Sequence, residues 1–149
     1  MRFAQHPVDV SPVKKTAGWL VVVVSAVAMF WVAQILHDKI SVSSTRQLVQ
    51  LSNQLNAGLP KQVDQETRLD TTLPGPGNRF TYLYTLVNVS STNFERAEFE
   101  GRMKPMLLNA YKTHQMMQGF RKAQVELHYS YRDRDGNEVA TIVVSPKDF

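Results

Sequence analysis

The longest apolar stretch of the chain runs from Ala17 to Leu36 and contains no charged residue. A helix of this length extends about 30 Å, which matches the hydrocarbon core of a bilayer. In lipid, each backbone N–H and C=O must be paired within the segment, so the pattern predicts a transmembrane helix at residues 17–37. The residues assigned to this membrane anchor are Trp19, Leu20, Val21, Val22, Val23, Val24, Phe30, Trp31, Ile35 and Leu36.

A cleaved signal peptide is the alternative interpretation of this stretch. Lys14 and Lys15 resemble a positive n-region, and residues 26–28 (Ala-Val-Ala) have the form of a cleavage site. The apolar run continues well beyond Ala28, which favours an uncleaved signal anchor. The positive-inside rule then predicts a cytoplasmic tail at residues 1–16 and a bacterial inner-membrane protein whose C-terminal part is periplasmic.

A narrow apolar stripe marks the region after the anchor, residues 38–58. Leu48, Leu51 and Leu55 recur at helical spacing among polar residues, and Gly58 ends the pattern. The sequence leaves two interpretations open. The helix packs on its own domain, or its stripe forms a two-helix seam with a partner.

Two β-hairpins are predicted in the remaining part, residues 59–149, and they flank a helical region. In the first hairpin the turn-rich residues 74–78 join two strands. The second strand places Phe80, Tyr82 and Tyr84 on one face. The second hairpin is the sequence AQVELHYSYRDRDGNEVATIVV, with its reversal at residues 135–137.

The helical region between the hairpins has a capping box, with Thr92 as the N-cap and Glu95 three residues later. Pro105 predicts either a kink or two consecutive helices, the second ending at Gly119. The fold class predicted from these elements is α+β. An N-terminal transmembrane helix precedes a small antiparallel sheet in β-β-α-β-β order, and helices pack on one face of the sheet.

Composition and charge limit the function classes. The absence of cysteine removes thiol catalysis, disulfides and thiolate metal sites. The net charge of +4 is spread along the chain instead of being concentrated on one element, so no nucleic-acid partner is expected. The expected partners are the lipid bilayer and another envelope protein.

Candidate catalytic and metal-binding groups are few. His114, His128 and Glu126 could supply part of a metal or acid–base site if the fold brings them together, but no HExxH motif is present. Asp133, Asp135 and Asn137 resemble the start of a calcium loop, although the glycine position and the terminal ligand do not match. No cofactor, metal or catalytic residue is therefore predicted.

Aromatic residues are the other notable group. Tyrosine provides rigid contact area with a polar tip, as recognition surfaces often require, and it is equally suited to a core beneath a helix. Both interpretations remain open here. The surface assigned to a partner comprises Leu48, Leu51, Leu55, Tyr82 and Tyr84.

The stretches LPKQVDQETRLD, GPGNRFTYLYTLVN and HYSYRDRDGNEVATIVVSPKDF resemble small bacterial envelope proteins that have no assigned activity. In those proteins an exported α/β domain follows a lipoprotein signal or a single span. The resemblance implies a periplasmic domain. This chain has no lipobox cysteine, so the resemblance combined with the apolar run implies anchoring by the helix.

The functional hypothesis is a non-enzymatic inner-membrane protein with a single span. Its periplasmic domain would bind another envelope protein as an accessory of a secretion, conjugation or phage-encoded system. An immunity or exclusion factor against a toxin or phage is the alternative. A small periplasmic enzyme that uses His114, His128 and Glu126 is the third possibility.

Overall fold

The computed structural model describes residues 45–148. The segment predicted to span the membrane, with its anchor residues, lies outside the described residues. Within the described part of the chain, no helix has both the length and the apolar character needed to cross a bilayer.

Three helices and five strands make up the described part. The helices are α1 (Thr45–Asn56), α2 (Arg96–Thr113) and α3 (Gln118–Lys122). The strands are β1 (Lys61–Gln62), β2 (Thr67–Gly75), β3 (Arg79–Leu86), β4 (Glu126–Arg132) and β5 (Glu138–Val144). Short 3-10 turns lie at Ser91–Asn93, Gln115–Met117 and Pro146–Asp148.

The strands form one sheet in the order β1-β2-β3-β4-β5. Neighbouring strands are antiparallel except at the centre, where β3 and β4 run parallel. Parallel neighbours need a crossover connection, and α2 provides it. The predicted fold is therefore wrong. The described order is α-β-β-β-α-α-β-β, and the sheet is mixed, not antiparallel.

All three helices cover the same face of the sheet. Leu48, Leu51 and Leu55 of α1 belong to the same buried cluster as the sheet residues. The Phe99 ring of α2 packs edge-on against Tyr131 of β4, with ring centroids 4.9 Å apart, and the Phe120 ring of α3 lies 5.6 Å from that of Phe80. We call this side of the sheet the covered face.

The helical region differs from its prediction in two respects. Residues 91–93 form a 3-10 turn and α2 begins at Arg96, so the capping box at Thr92 is wrong; Glu95 precedes the helix without a side-chain cap. Pro105 lies inside one continuous helix. Proline removes the hydrogen bond to the carbonyl four residues earlier, at Gly101. Both residues are exposed, so water can reach that carbonyl.

Candidate interaction surface

The second face of the sheet carries no described helix, and its side chains form two rows across four strands. Each row contains one residue from each of β2, β3, β4 and β5, and these residues are paired across neighbouring strands. The second row is displaced from the first by two residues along each strand. We call these residues the open face. They are Leu73, Thr81, His128 and Val143 in the first row, and Thr71, Leu83, Ser130 and Thr141 in the second.

The open face combines aliphatic groups with hydroxyl groups at its centre. Leu73 is 49% exposed, and it is one of two large apolar side chains, with Val49 on α1, that the described residues leave exposed. The other aliphatic members, Leu83 and Val143, are half-buried. A surface that mixes aliphatic and neutral polar groups in this way is typical of non-obligate protein–protein interfaces.

Charged groups lie at the two ends of the open face. At one end Arg68 forms an ion pair with Asp70 at 2.5 Å, and Asp70 also accepts a hydrogen bond from Thr85 at 2.5 Å. Arg132 and Glu138 lie opposite each other on β4 and β5 at the same end. At the other end Arg79 and Glu126 occupy paired positions on β3 and β4. The surface therefore has charged ends around a centre of mixed aliphatic and hydroxyl groups.

The candidate acid–base residues are only partly brought together. His128 Nε2 lies 2.6 Å from Glu126 Oε1 on the open face. His114 ends α2, where its Nδ1 accepts a hydrogen bond from the Met116 N–H at 3.4 Å. No described contact joins His114 to the other two residues. Among residues 45–148, no group of three or more side chains is placed to bind a metal ion.

Glu126, His128 and Ser130 occupy alternate positions of β4 and face the same way, as the alternation in the sequence indicates. An acid, a histidine and a serine are the residue types of a catalytic triad, but the hydrogen bonds among these three residues differ from those of a triad. Ser130 Oγ donates a hydrogen bond to Glu138 Oε2 at 3.3 Å, not to His128. In a triad the serine is hydrogen-bonded to the histidine, and the described contacts show no such bond between Ser130 and His128.

The calcium-like motif forms the turn between β4 and β5. The fully buried carboxylate of Asp133 accepts hydrogen bonds from the backbone N–H groups of Ser91, Asp135 and Asn137 at 2.8–3.0 Å. Burial by itself raises the pKa of Asp133, but the hydrogen bonds from Asn137 and Ser91 outweigh burial and lower the pKa to about 2. Asp133 therefore joins the hairpin turn to the segment that precedes α2.

The surface that was assigned to a partner from the sequence is placed in the core. Each of its five residues, Leu48, Leu51, Leu55, Tyr82 and Tyr84, is at most 5% exposed. The Leu stripe of α1 packs on the protein's own sheet. The tyrosines stack in pairs across β3 and β4, with ring centroids 5.4 Å apart for Tyr82 and Tyr129 and 5.2 Å apart for Tyr84 and Tyr131.

The family described as Domain of unknown function (DUF8479) matches residues 43–140, about two thirds of the chain. A search of curated protein sequences found no match.

Solved structures share the fold at low sequence identity. A candidate secreted protein of Pseudomonas aeruginosa has a TM-score of 0.59 and 12% identity over 69% of this chain and 89% of that protein. The pilotin EpsS of the Vibrio vulnificus type 2 secretion system has a TM-score of 0.51 and 16% identity over 69% and 92%. The type II secretion system pilotin AspS of Vibrio cholerae has a TM-score of 0.51 and 11% identity over 82% and 99%. At these identities the likeness establishes a shared fold.

Proposed function

The chain belongs to the DUF8479 family. For this member of the family, we propose that it is a protein-binding module of the bacterial envelope and that it serves as an accessory of a secretion system. The open face is the surface through which it binds. The proposed partner is another protein of the secretion machinery. Two of the solved structures that share the fold are type II secretion pilotins, which supports this choice.

The observation that carries the proposal is the unequal cover of the two faces of the sheet. The covered face is occupied by α1, α2 and α3, whereas the open face keeps Leu73 at 49% exposure beside half-buried aliphatic and hydroxyl groups. Binding a protein there would remove this apolar area from water, at about 25 cal/mol for each Å². The charged ends would then fix the orientation of the partner.

Binding is favoured over catalysis because the candidate chemistry is incomplete. His128 is paired with Glu126, and Ser130 is paired with Glu138. A catalytic serine needs its base and the group that orients the base in one hydrogen-bonded chain, and the described contacts place Ser130 and His128 in two separate pairs.

Site-specific photo-crosslinking in the native host tests the proposal. A photoreactive amino acid replaces Leu73 on the open face, and the matched control replaces Val49, which is exposed at 40% on α1 in the helix layer. We expect one defined product from position 73, identified by mass spectrometry as a component of a secretion system, and no such product from position 49.

Two outcomes contradict the proposal. One is the same set of products from both positions, which would indicate nonspecific contact. The other is the absence of a defined product at position 73 when the protein is present at its normal level.

A further inference from the structure

The two edges of the sheet are covered very differently. At the β2 edge, the short β1 pairs with only the first part of the strand. Beyond β1, the side chain of Asn56 takes the place of a neighbouring strand. Its Oδ1 accepts a hydrogen bond from the Thr72 N–H at 2.8 Å, and its Nδ2 donates to the Thr72 carbonyl at 2.9 Å. Ser52 Oγ also donates to that carbonyl, at 2.8 Å.

The opposite edge is β5, which among residues 45–148 pairs only with β4. In an antiparallel pair, the peptide groups of alternate residues point to opposite sides of the strand. The Glu126 N–H bonds to the Asn78 carbonyl beside β3, so the next residue, Leu127, and every second residue after it direct their peptide groups to β5. Their partners on β5 are Val144, Ile142 and Ala140, whose peptide groups therefore face β4. Thr141 and Val143 are half-buried and direct theirs outward, where no backbone group of residues 45–148 pairs with them.

Strand β5 also lacks the features that usually protect an edge. Natural edge strands are short, or they carry lysine, proline or a covering element. Strand β5 has seven residues, EVATIVV, with Glu138 as its only charge and with a high content of β-branched residues. An edge of this kind is a template for pairing with another strand.

We propose that a second copy of this chain pairs with β5, so that the protein is a dimer joined edge to edge. The strands pair antiparallel about a two-fold axis perpendicular to the sheet at Ile142. Thr141 then lies opposite Val143 of the partner subunit, and each such pair exchanges both of its hydrogen bonds. The result is a continuous sheet of ten strands, five from each copy.

Charge complementarity supports the antiparallel arrangement. Glu138 at the start of β5 and Lys147 just beyond its end are both exposed. With the axis at Ile142, Glu138 lies opposite Pro146 of the partner subunit and one position from Lys147 of the partner subunit, at both ends of the interface. Parallel pairing would place like charges together, which is unfavourable.

A second copy fits this edge better than a segment of another protein. Residues 45–148 leave this edge unpaired, and β5 of a second copy offers it a strand of the same length with the same β-branched residues. The strand is also its own complement, as an interface on a two-fold axis requires. This inference does not depend on the open face or on its proposed partner.

Sedimentation equilibrium of the full-length chain in a density-matched mild detergent tests the dimer. Thr141→Pro removes the outward N–H and leaves the hydrogen bonds to β4 in place, since proline is tolerated where its nitrogen faces away from the sheet. Val143→Lys places a lysine on the edge as a second variant, and Thr141→Ser is the control that keeps the N–H. We expect the wild type and Thr141→Ser to be dimeric. Each of the other variants should raise the dimer Kd at least about tenfold.

Near-ultraviolet circular dichroism confirms that each variant is folded. A wild-type chain that is monomeric at micromolar concentration overturns the proposal. It is also overturned if folded Thr141→Pro and Val143→Lys variants both keep the wild-type Kd, because another surface would then hold the copies together.

Disulfide trapping tests the strand direction, and the chain offers a background without cysteine. Positions 138 and 146 lie opposite each other in the proposed register, so the double variant Glu138→Cys/Pro146→Cys should form disulfide-linked dimers under mild oxidation, whereas the single variant Glu138→Cys should not. Crosslinking of the single variant alone would contradict antiparallel pairing.

Discussion

At the scale of single residues, the tyrosines show that identical side chains in one core contribute differently. Tyr111 donates a hydrogen bond from its hydroxyl to the Val125 carbonyl at 2.8 Å. The hydroxyls of Tyr82 and Tyr129 are buried without a hydrogen-bond partner among the described residues. A buried hydroxyl without a partner loses its hydrogen bonds to water and forms none in the protein, so its burial lowers the stability of the fold. The aromatic rings, not these two hydroxyls, therefore provide the stabilisation.

This contrast gives a prediction for a matched pair of substitutions. Tyr111→Phe should lower the free energy of unfolding by about 1–2 kcal/mol, because the Val125 carbonyl loses its donor. Tyr82→Phe keeps the ring and removes an unpaired hydroxyl, so it should leave stability unchanged or raise it by up to about 1 kcal/mol. Urea unfolding of the two variants and the wild type measures both effects. Equal destabilisation by the two substitutions would contradict this account.

At the scale of elements, the contact between α1 and β2 depends on one side chain, that of Asn56, which makes the hydrogen bonds that a neighbouring strand would make with β2. Asn56 pairs with both the N–H and the carbonyl of Thr72, and Ser52 adds a further hydrogen bond. The Leu stripe of α1 supplies buried apolar area but no fixed register along the strand. The polar contacts therefore define where the helix sits on the sheet.

Replacing Asn56 by alanine tests this role. Asn56→Ala should lower the free energy of unfolding by about 1–3 kcal/mol, because the Thr72 peptide group loses its partners in a partly buried site. Asn53→Ala, at an exposed position of the same helix, is the control and should change it by less than about 0.5 kcal/mol. Similar thermal unfolding of the two variants would show that Asn56 does not dock the helix.

Most elements could be predicted from periodicity, but their partners could not. The alternation along β3 and along β4 indicates strands, and it separates the residues of the covered face from those of the open face. The Leu stripe of α1 indicates a helix, yet a stripe has the same pattern whether it meets a partner or its own sheet. The two residues of β1 carry no periodic signal, and the role of Asn56 depends on a distant strand.

At the scale of the whole molecule, folding stability depends on whether the hydroxyl groups of the tyrosines are protonated. All five tyrosines of the sequence lie in the buried cluster. Burial raises the pKa of each above its usual value near 10. For Tyr111 the pKa rises to about 12, despite the opposing charge of Arg121.

Alkaline unfolding follows from this arrangement. Above about pH 10 the unfolded chain releases tyrosine protons that the folded chain retains, so stability falls as pH rises, by about 1 kcal/mol per pH unit for each ionised tyrosine. A titration from pH 9 upward should show tyrosinate absorbance and the loss of far-ultraviolet circular dichroism in one common transition. Absorbance that rises near pH 10 while the circular dichroism stays native would contradict a fully buried tyrosine core.

Local sequence patterns could not predict the order and direction of the strands in the sheet. Two hairpins separated by a helical region suit an antiparallel sheet and a mixed sheet equally well. The length of α2 is the one signal that favours a crossover, since 18 residues can return the chain to the end of the sheet from which β3 started. The open face and the free edge of β5 both depend on this topology, so neither could be located before the structure.

The central parallel pair of strands also has a consequence for the order of folding. The β2–β3 and β4–β5 hairpins bring together residues that are close along the chain, whereas β3 and β4 join residues such as Arg79 and Glu126, which are 47 positions apart. Closing such a long loop lowers the chain entropy before the stabilising contacts between β3 and β4 have formed. We therefore expect the two hairpins to form early and independently, and their association across the middle of the sheet to limit the folding rate.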